Sequence, residues 1–356
     1  YMIALGNPST GAHRVSLAGG VNSLGTTIGP LLLAIALYGG LKEVKVDLAV
    51  VKMPYMVLAG MLMLCALILG LSKLPPVTNS EKMEHGFKAF EYPQLIWGMV
   101  AIFIYVGVEV TIQSNLPALM EKPSILGIDH KQTVHFISLY WGSLMIGRWV
   151  GALTVFNLSK AMRQLLTVIV PFIAFAVVVG ANYAKLSAEG KPERIYDLLY
   201  YAPLVLVLVI GFFMADEKPA RTMILFGSMA AIMMLVGLFT TGRIALYAFI
   251  SGGLFCSVMW PCIFSLSIAG LGKYTAQASS LLIMMIAGGA AIPPLQGLVC
   301  DMDKTSPGGI AGLSWTHFSY IIPVFCFGYL AFFGWKVKSI LKSQGIDYDA
   351  QTGSAH

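Results

Sequence analysis

Leu95-Ile96-Trp97-Gly98-Met99-Val100-Ala101-Ile102-Phe103-Ile104-Tyr105-Val106-Gly107-Val108-Glu109-Val110-Thr111-Ile112-Gln113 decides the fold. The apolar block it opens runs over 95–119 and holds one charge, Glu109. A hydrocarbon core of roughly 30 Å is crossed by about 20 apolar residues in helical form. Outward from this block the same signature recurs near 15–40, 55–71, 136–156, 165–182, 198–214, 222–239, 245–269, 279–299 and 318–337, which makes ten spans. The runs are continuous rather than alternating, which excludes a β-barrel. Backbone groups in lipid must pair internally, so helices are forced. The expectation is an all-α, polytopic membrane protein with short loops.

Composition agrees. Of the 356 residues, 57% are hydrophobic and 11% are charged, against about 25% charged in a soluble domain. The mean hydropathy is +0.77. An ordinary soluble enzyme and a disordered chain are both excluded. The net charge is +6, but its Lys and Arg lie one to three at a time between apolar blocks. Without a basic stripe there is no nucleic-acid partner. The five cysteines, Cys65, Cys256, Cys262, Cys300 and Cys326, form no C-x-x-C pair. They read as small packing residues, and no metal or cofactor is expected. No H-E-x-x-H, G-x-S-x-G or Walker loop occurs, so no catalytic residues are assigned.

The polar stretch Ser72–Pro93 separates two spans from the remaining eight. It reads as an interdomain loop over 73–93. If that loop is cytoplasmic, twelve Lys and Arg fall on its side and ten on the other, which has the sign of the positive-inside bias. Residues 341–356 form a polar cytoplasmic tail. The apolar stub Tyr1–Gly6 is too short to span and begins without Met, which suggests a fragment lacking its N-terminus.

Within the spans, Glu109 stands out. A carboxylate at mid-bilayer costs several kcal/mol, so it should face an interior cavity. Tyr105, Glu109 and Gln113 fall at i, i+4 and i+8, on one helix face, and can bind a hydroxylated solute or carry a proton. A carboxylate paired to a neighbouring helix is the alternative. Arg148, near the end of its span, suits a gate or a brace more than substrate contact. Trp141 lies seven residues earlier, on nearly the same face, where an indole can stack on a sugar ring or sit at the interface. Asn22 and Thr26 share a face, and Asn22 either links helices or reads a ligand. Gln277 and Gln296 carry the same two readings.

Gly25–Gly29 and Gly147–Gly151 are G-x-x-x-G steps for close helix approach. Gly288-Gly289-Ala290-Ala291-Ile292-Pro293-Pro294 is the segment where a helix should break. Broken helices at membrane depth are a transporter feature. The histidines, His13, His85, His130, His135, His317 and His356, fall in loops or span ends and read as solvated.

Several segments together resemble one family. Asn22 through Pro30 is similar to the fifth helix of the fucose–galactose–glucose/proton symporters of the major facilitator superfamily. Ala101–Val110 resembles the seventh helix and Tyr140–Arg148 the eighth. Gly253–Leu266 with Gly270–Ser280 resembles the tenth helix and its loop, and Pro294–Leu298 the eleventh. The resemblance implies a two-half, twelve-helix transporter with alternating access and a monomeric state. Its partners would be a sugar, protons and the lipid bilayer, and it would sit multi-pass in the inner membrane. Residues 1–72 would be the remnant of the N-terminal half and 94–340 the C-terminal half. Two carboxylates tied to proton coupling in that family would lie upstream. Asn22, Glu109, Trp141 and Gln277 carry over as cavity positions.

Two departures stand out. Where the family has a sugar-contacting Gln three residues before the fifth-helix Asn, this sequence has Gly19, which hints at a wider pocket. Residues 161–215 carry two extra spans, expected to pack on the outside of the bundle. The rival functions are transport of another solute such as an organic anion, and a nutrient sensor or scaffold. A channel would show rings of like residues, which are not visible.

Overall fold

The computed structural model describes residues 11–38, 48–73, 88–156, 158–306, 308–310 and 312–346. The stub Tyr1–Gly6, most of the stretch expected to be an interdomain loop and the end of the expected tail lie outside the described residues, as do His85 and His356. In chain order the helices are α1 (Gly11–Tyr38), α2 (Leu48–Leu71), α3 (Pro93–Met120), α4 (Val134–Gly151), α5 (Lys160–Ala188), α6 (Ile195–Leu199) and α7 (Ala202–Ala215). They continue with α8 (Pro219–Phe239), α9 (Gly242–Cys256), α10 (Met259–Ile268), α11 (Thr275–Met284), α12 (Gly288–Thr305), α13 (Trp315–Phe318) and α14 (Ile321–Ser343).

Eight stretches among the described residues are long and apolar enough to cross a membrane. The other two of the ten expected are α1, with 28 residues, and α4, whose 18 residues carry His135, Ser138, Ser143 and Arg148 and are less apolar. Loop contacts fix the direction of travel. Beyond α3, Ser124 accepts from the backbone N–H of Gly242 at the start of α9 (2.9 Å). Lys122 meets Asp303 at the end of α12 (2.7 Å). At the opposite end, Gln94 at the start of α3 donates to the carbonyl of Ala269 (3.0 Å) and accepts from Gln344 after α14 (2.9 Å). Successive spans therefore alternate.

The segment 161–215 fits the same alternation. Arg163 at the start of α5 meets Glu217 after α7 (3.1 Å). At the far end of the pair, Arg194 donates to Gln132 (2.8 Å) and Arg243 pairs with Asp197 (3.1 Å). The chain leaves one end of the bundle and returns to it. Helix α5 packs on α4, α7 and α1, and α7 packs on α8 and α9.

The α9–α10 stretch is the centre of the bundle, with 89% of its most apolar window buried, while α2 buries none of its own. It is not one straight helix. Pro261 has no N–H to give and in an unbroken helix its ring would clash with the carbonyl of Ser257, and the chain unwinds at Ser257–Val258. The expected break at Gly288–Pro294 is corrected. Helix α12 runs through Pro293 and Pro294, and the interruption is the 3-10 turn Met285–Ala287 just upstream. The reason is tertiary. Gly288 lies against the backbone carbonyl of Phe103, too close for a Cβ, and Ile292 fills the space over Gly107. That contact holds the first turn of α12 on α3, so the strain is taken up before it.

Two histidines are also corrected. His135 and His317 are buried, not solvated. His317 Nε2 lies 2.8 Å from the carbonyl of Gly237, and His135 lies 3.7 Å from Asp197. Both sit at span ends where neighbouring helices cover them.

Candidate functional site

Glu109 lies where α3, α4 and α9 meet. One carboxylate oxygen, Oε1, accepts from Tyr105 Oη (3.0 Å) and from Arg148 Nη2 (3.1 Å). The Glu109 and Arg148 side chains are 13% and 16% exposed, which makes this a largely desolvated ion pair. Such pairs persist only when further hydrogen bonds satisfy the remaining groups. Here Arg148 Nη1 donates to Ser23 Oγ on α1 (2.7 Å), and Tyr140 donates to the Glu109 backbone carbonyl (2.6 Å). The predicted carboxylate in an apolar span is thus paired to a neighbouring helix, and the pair extends across to α1.

The unwound Ser257–Val258 step supplies the next link. When α9 ends at Cys256, that residue's carbonyl loses its helical donor. Tyr105 Oη stands 3.2 Å from it. Tyr105 has one hydroxyl hydrogen, and both acceptors lie within its reach.

Gly19 acquires a physical reading. A Cβ there would stand 3.4 Å from Cδ of Arg148. The space a longer side chain would need is taken by the arginine stem on its way to Ser23, so at this position the pocket is not wider. Trp149 completes the α1–α4 seam by donating to the carbonyl of Gly20 (3.3 Å). Of the two glycines of the α4 G-x-x-x-G step, Gly147 leaves no room for a Cβ against Ser257, and Gly151 packs on Ser16 and Val258.

The other expected residues scatter. Asn22 is exposed, and Ser23 beside it makes the bond to Arg148. Gln113 is half-buried and turns to Ser114 Oγ (3.0 Å). Gln277 is half-buried on α11, which packs on α3 and α10. Gln296 is fully buried, accepts from Thr111 (2.8 Å) and donates to Ser319 (3.0 Å), which ties α12 to α3 and to the turn after α13. Trp141 stacks edge-on against Tyr140 (5.9 Å between centroids) and lines a separate cavity of about 440 Å³ between α1, α4 and α5. Ser23 went unread because a serine in a span is an ordinary helix-packing residue. Its sequence signal is the register Gly19, Gly20, Ser23, small residues that open one face of α1 to an incoming arginine.

Among the described residues no cluster of His, Cys, Asp and Glu could hold a metal. The arrangement offers a charge pair, two phenols and a serine hydroxyl in a low-dielectric seam. Those groups suit proton binding and hydroxyl recognition.

No family model matches the chain. Over 339 residues it is 29% identical to a glucose/galactose transporter of Brucella abortus, covering 94% of this chain and 65% of that protein. It is 30% identical over 334 residues to a putative glucose/galactose transporter of Helicobacter pylori, covering 91% and 66%. It is 23% identical over 369 residues to an L-fucose-proton symporter of Haemophilus influenzae, covering 96% and 71%. The chain therefore spans about two thirds of the length of these relatives. Its structure is similar to the crystal structure of a major facilitator superfamily transporter, FucP, in the outward conformation. The TM-score is 0.66 at 20% identity, over 94% of this chain and 70% of that one.

Proposed function

We propose that this chain, a homologue of bacterial glucose/galactose transporters and L-fucose-proton symporters with the fold of the major facilitator superfamily, carries a sugar together with protons by alternating access. The cytoplasmic membrane is its proposed location and a monomer its proposed state. We read 1–72 as part of the N-terminal half, 73–93 as the interdomain loop and 94–340 as the C-terminal half. The observation that carries the proposal is the desolvated Glu109–Arg148 pair, bonded onward to Ser23 across the α1–α4 seam.

The mechanism follows from that bonding. A charged Glu109 holds the Arg148 guanidinium by charge and hydrogen bond. A protonated Glu109 keeps a hydrogen bond from the still-charged guanidinium but loses the attraction between opposite charges, and so holds it more weakly. Arg148 also carries the bond to α1, so a proton on Glu109 changes the strength of a link between the two halves. Alternating access requires such links to form and break. Tyr105 and Tyr140 bond to Glu109 and, with Trp141 beside Tyr140, are our candidates for sugar contact, together with Asn22 on α1, Gln113 on α3 and Gln277 on α11. Arg148 would act as the gate brace, with Gly147 and Gly151 letting α4 approach its neighbours. Pro293 and Pro294 stiffen α12 rather than hinge it.

The test is uptake of labelled D-glucose, D-galactose and L-fucose into vesicles under an imposed inward proton gradient. Glu109→Gln should abolish the dependence on the gradient while exchange without a gradient persists. Unchanged uptake with unchanged gradient dependence removes Glu109 from the mechanism.

A further inference from the structure

Beside the α1–α4 seam lies the cavity that holds Trp141. Its third wall is α5, from the segment 161–215 that the sequence sets apart. Three features seat this helix. Val178 packs into the space over Gly142 of α4, too close for a Cβ on the glycine. One turn on, Asn182 donates to Ser138 Oγ (3.0 Å) and to its own helix at the Val178 carbonyl (2.8 Å). Lys185 follows at i+3 on the same face. The side chains that line the cavity and bear on its chemistry are Thr26 of α1, Ser138 and Trp141 of α4, and Ala181, Asn182 and Lys185 of α5. Its volume of about 440 Å³ falls in the range of roughly 300–1,000 Å³ that holds small-molecule ligands.

We infer that α5 completes a ligand pocket on the flank of the seam whose occupant is an anionic, hydroxylated six-membered ring, a sugar acid of the hexuronate type. An indole offers a flat apolar face to the C–H side of such a ring. Hydroxyl and carboxamide groups at Thr26, Ser138 and Asn182 match ring hydroxyls. Among the described residues that line the cavity, Lys185 carries the charge, a cation where a carboxylate would lie. Without α5, Thr26, Ser138 and Trp141 would face outward with no opposing wall. Because α5 supplies both the wall and the charge, the segment that departs from the family pattern sets the ligand's charge. The inference rests on the transport reading in one respect, since Trp141 is shared with the proposed sugar site.

The experiment measures equilibrium binding of labelled D-glucuronate and D-glucose to the full chain in phosphatidylcholine vesicles, with the affinity ratio as readout. Wild type should favour D-glucuronate at least tenfold. Lys185→Gln should lower that ratio at least tenfold, and Lys185→Arg should restore it. Where Lys185→Gln fails to accumulate, Ala181→Leu, which shrinks the cavity without altering charge, should weaken D-glucuronate binding at least fivefold. No preference for D-glucuronate in wild type, or a ratio unmoved by Lys185→Gln, overturns the inference. So does loss of D-glucuronate binding when phosphatidylglycerol is added to the vesicles, because an anionic lipid headgroup is then the occupant. If no sugar is transported but Lys185-dependent binding persists, the pocket stands and the transport reading falls. Proton-coupled uptake of neutral sugars with no such dependence has the opposite meaning.

Discussion

The seam between α8 and α14 and the seam between α1 and α4 join their helices by opposite means. Along α8–α14, Gly227 would set a Cβ 2.7 Å from the backbone nitrogen of Ala331, and Gly334 would set one 2.9 Å from the Ala220 carbonyl. Small residues let two backbones touch, and dispersion holds them. Along α1–α4, by contrast, an arginine reaches across to a serine and an indole N–H to a carbonyl. Close-packed seams come apart only at the cost of a cavity. Polar seams part by exchanging one hydrogen-bond partner for another. The first kind suits the inside of a rigid body, and the second suits the junction of two moving bodies that the proposed alternating access requires.

The contrast breaks most severely at the glycines. Gly227→Leu should leave no folded protein in detergent, read as loss of the monodisperse peak in size-exclusion chromatography. In the other seam, Arg148→Ala strands a buried carboxylate, and removing one partner of a buried pair costs about 3–5 kcal/mol. A fall in thermal stability of that size should appear, and Glu109→Gln in the same chain should recover part of it. Ser23→Ala removes one hydrogen bond to a charged group, worth about 1.5–3 kcal/mol. Its effect should be larger on the rate of exchange transport than on the melting temperature. Trp149→Phe deletes a neutral bond of about 0.5–1.5 kcal/mol and should shift melting only slightly.

The smallest effect lies outside both seams. Lys218 beside Asp216 (2.6 Å) holds that carboxyl below its usual range. A depressed folded pKa adds stability above the ordinary aspartate value of 3.8, and that stability is lost as pH falls through the folded value. Since Asp216 is exposed, Asp216→Asn should move the melting curve at neutral pH by less than any change above, and the shift should vanish once the pH is below the folded value.

The spans were legible because apolar runs of that length have few alternatives in a chain so poor in charge. Glu109 was legible for the same reason, as a charge without company. Its company was not. Arg148 lies 39 residues away and Ser23 lies 125 residues from Arg148, and nothing local in a sequence records such distances. Gly19 pointed toward an emptier pocket until the arginine stem was seen to fill it. The twin prolines misled for a related reason. A Pro-rich stretch weakens a helix, but the helix yields where its neighbours leave it room, and Gly288 on Phe103 moved that place upstream.

The hydroxyl of Tyr105 carries a last consequence. Its lone hydrogen can point at the carboxylate of Glu109 or at the carbonyl bared by the kink at Cys256, and not fully at both. When the acid is charged it claims that hydrogen. When the acid takes a proton it can donate to the phenol oxygen instead, and the phenol turns to the kink. Under the proposed mechanism, ionisation of that side chain would be passed to a bend in the central helix through a single rotating O–H bond.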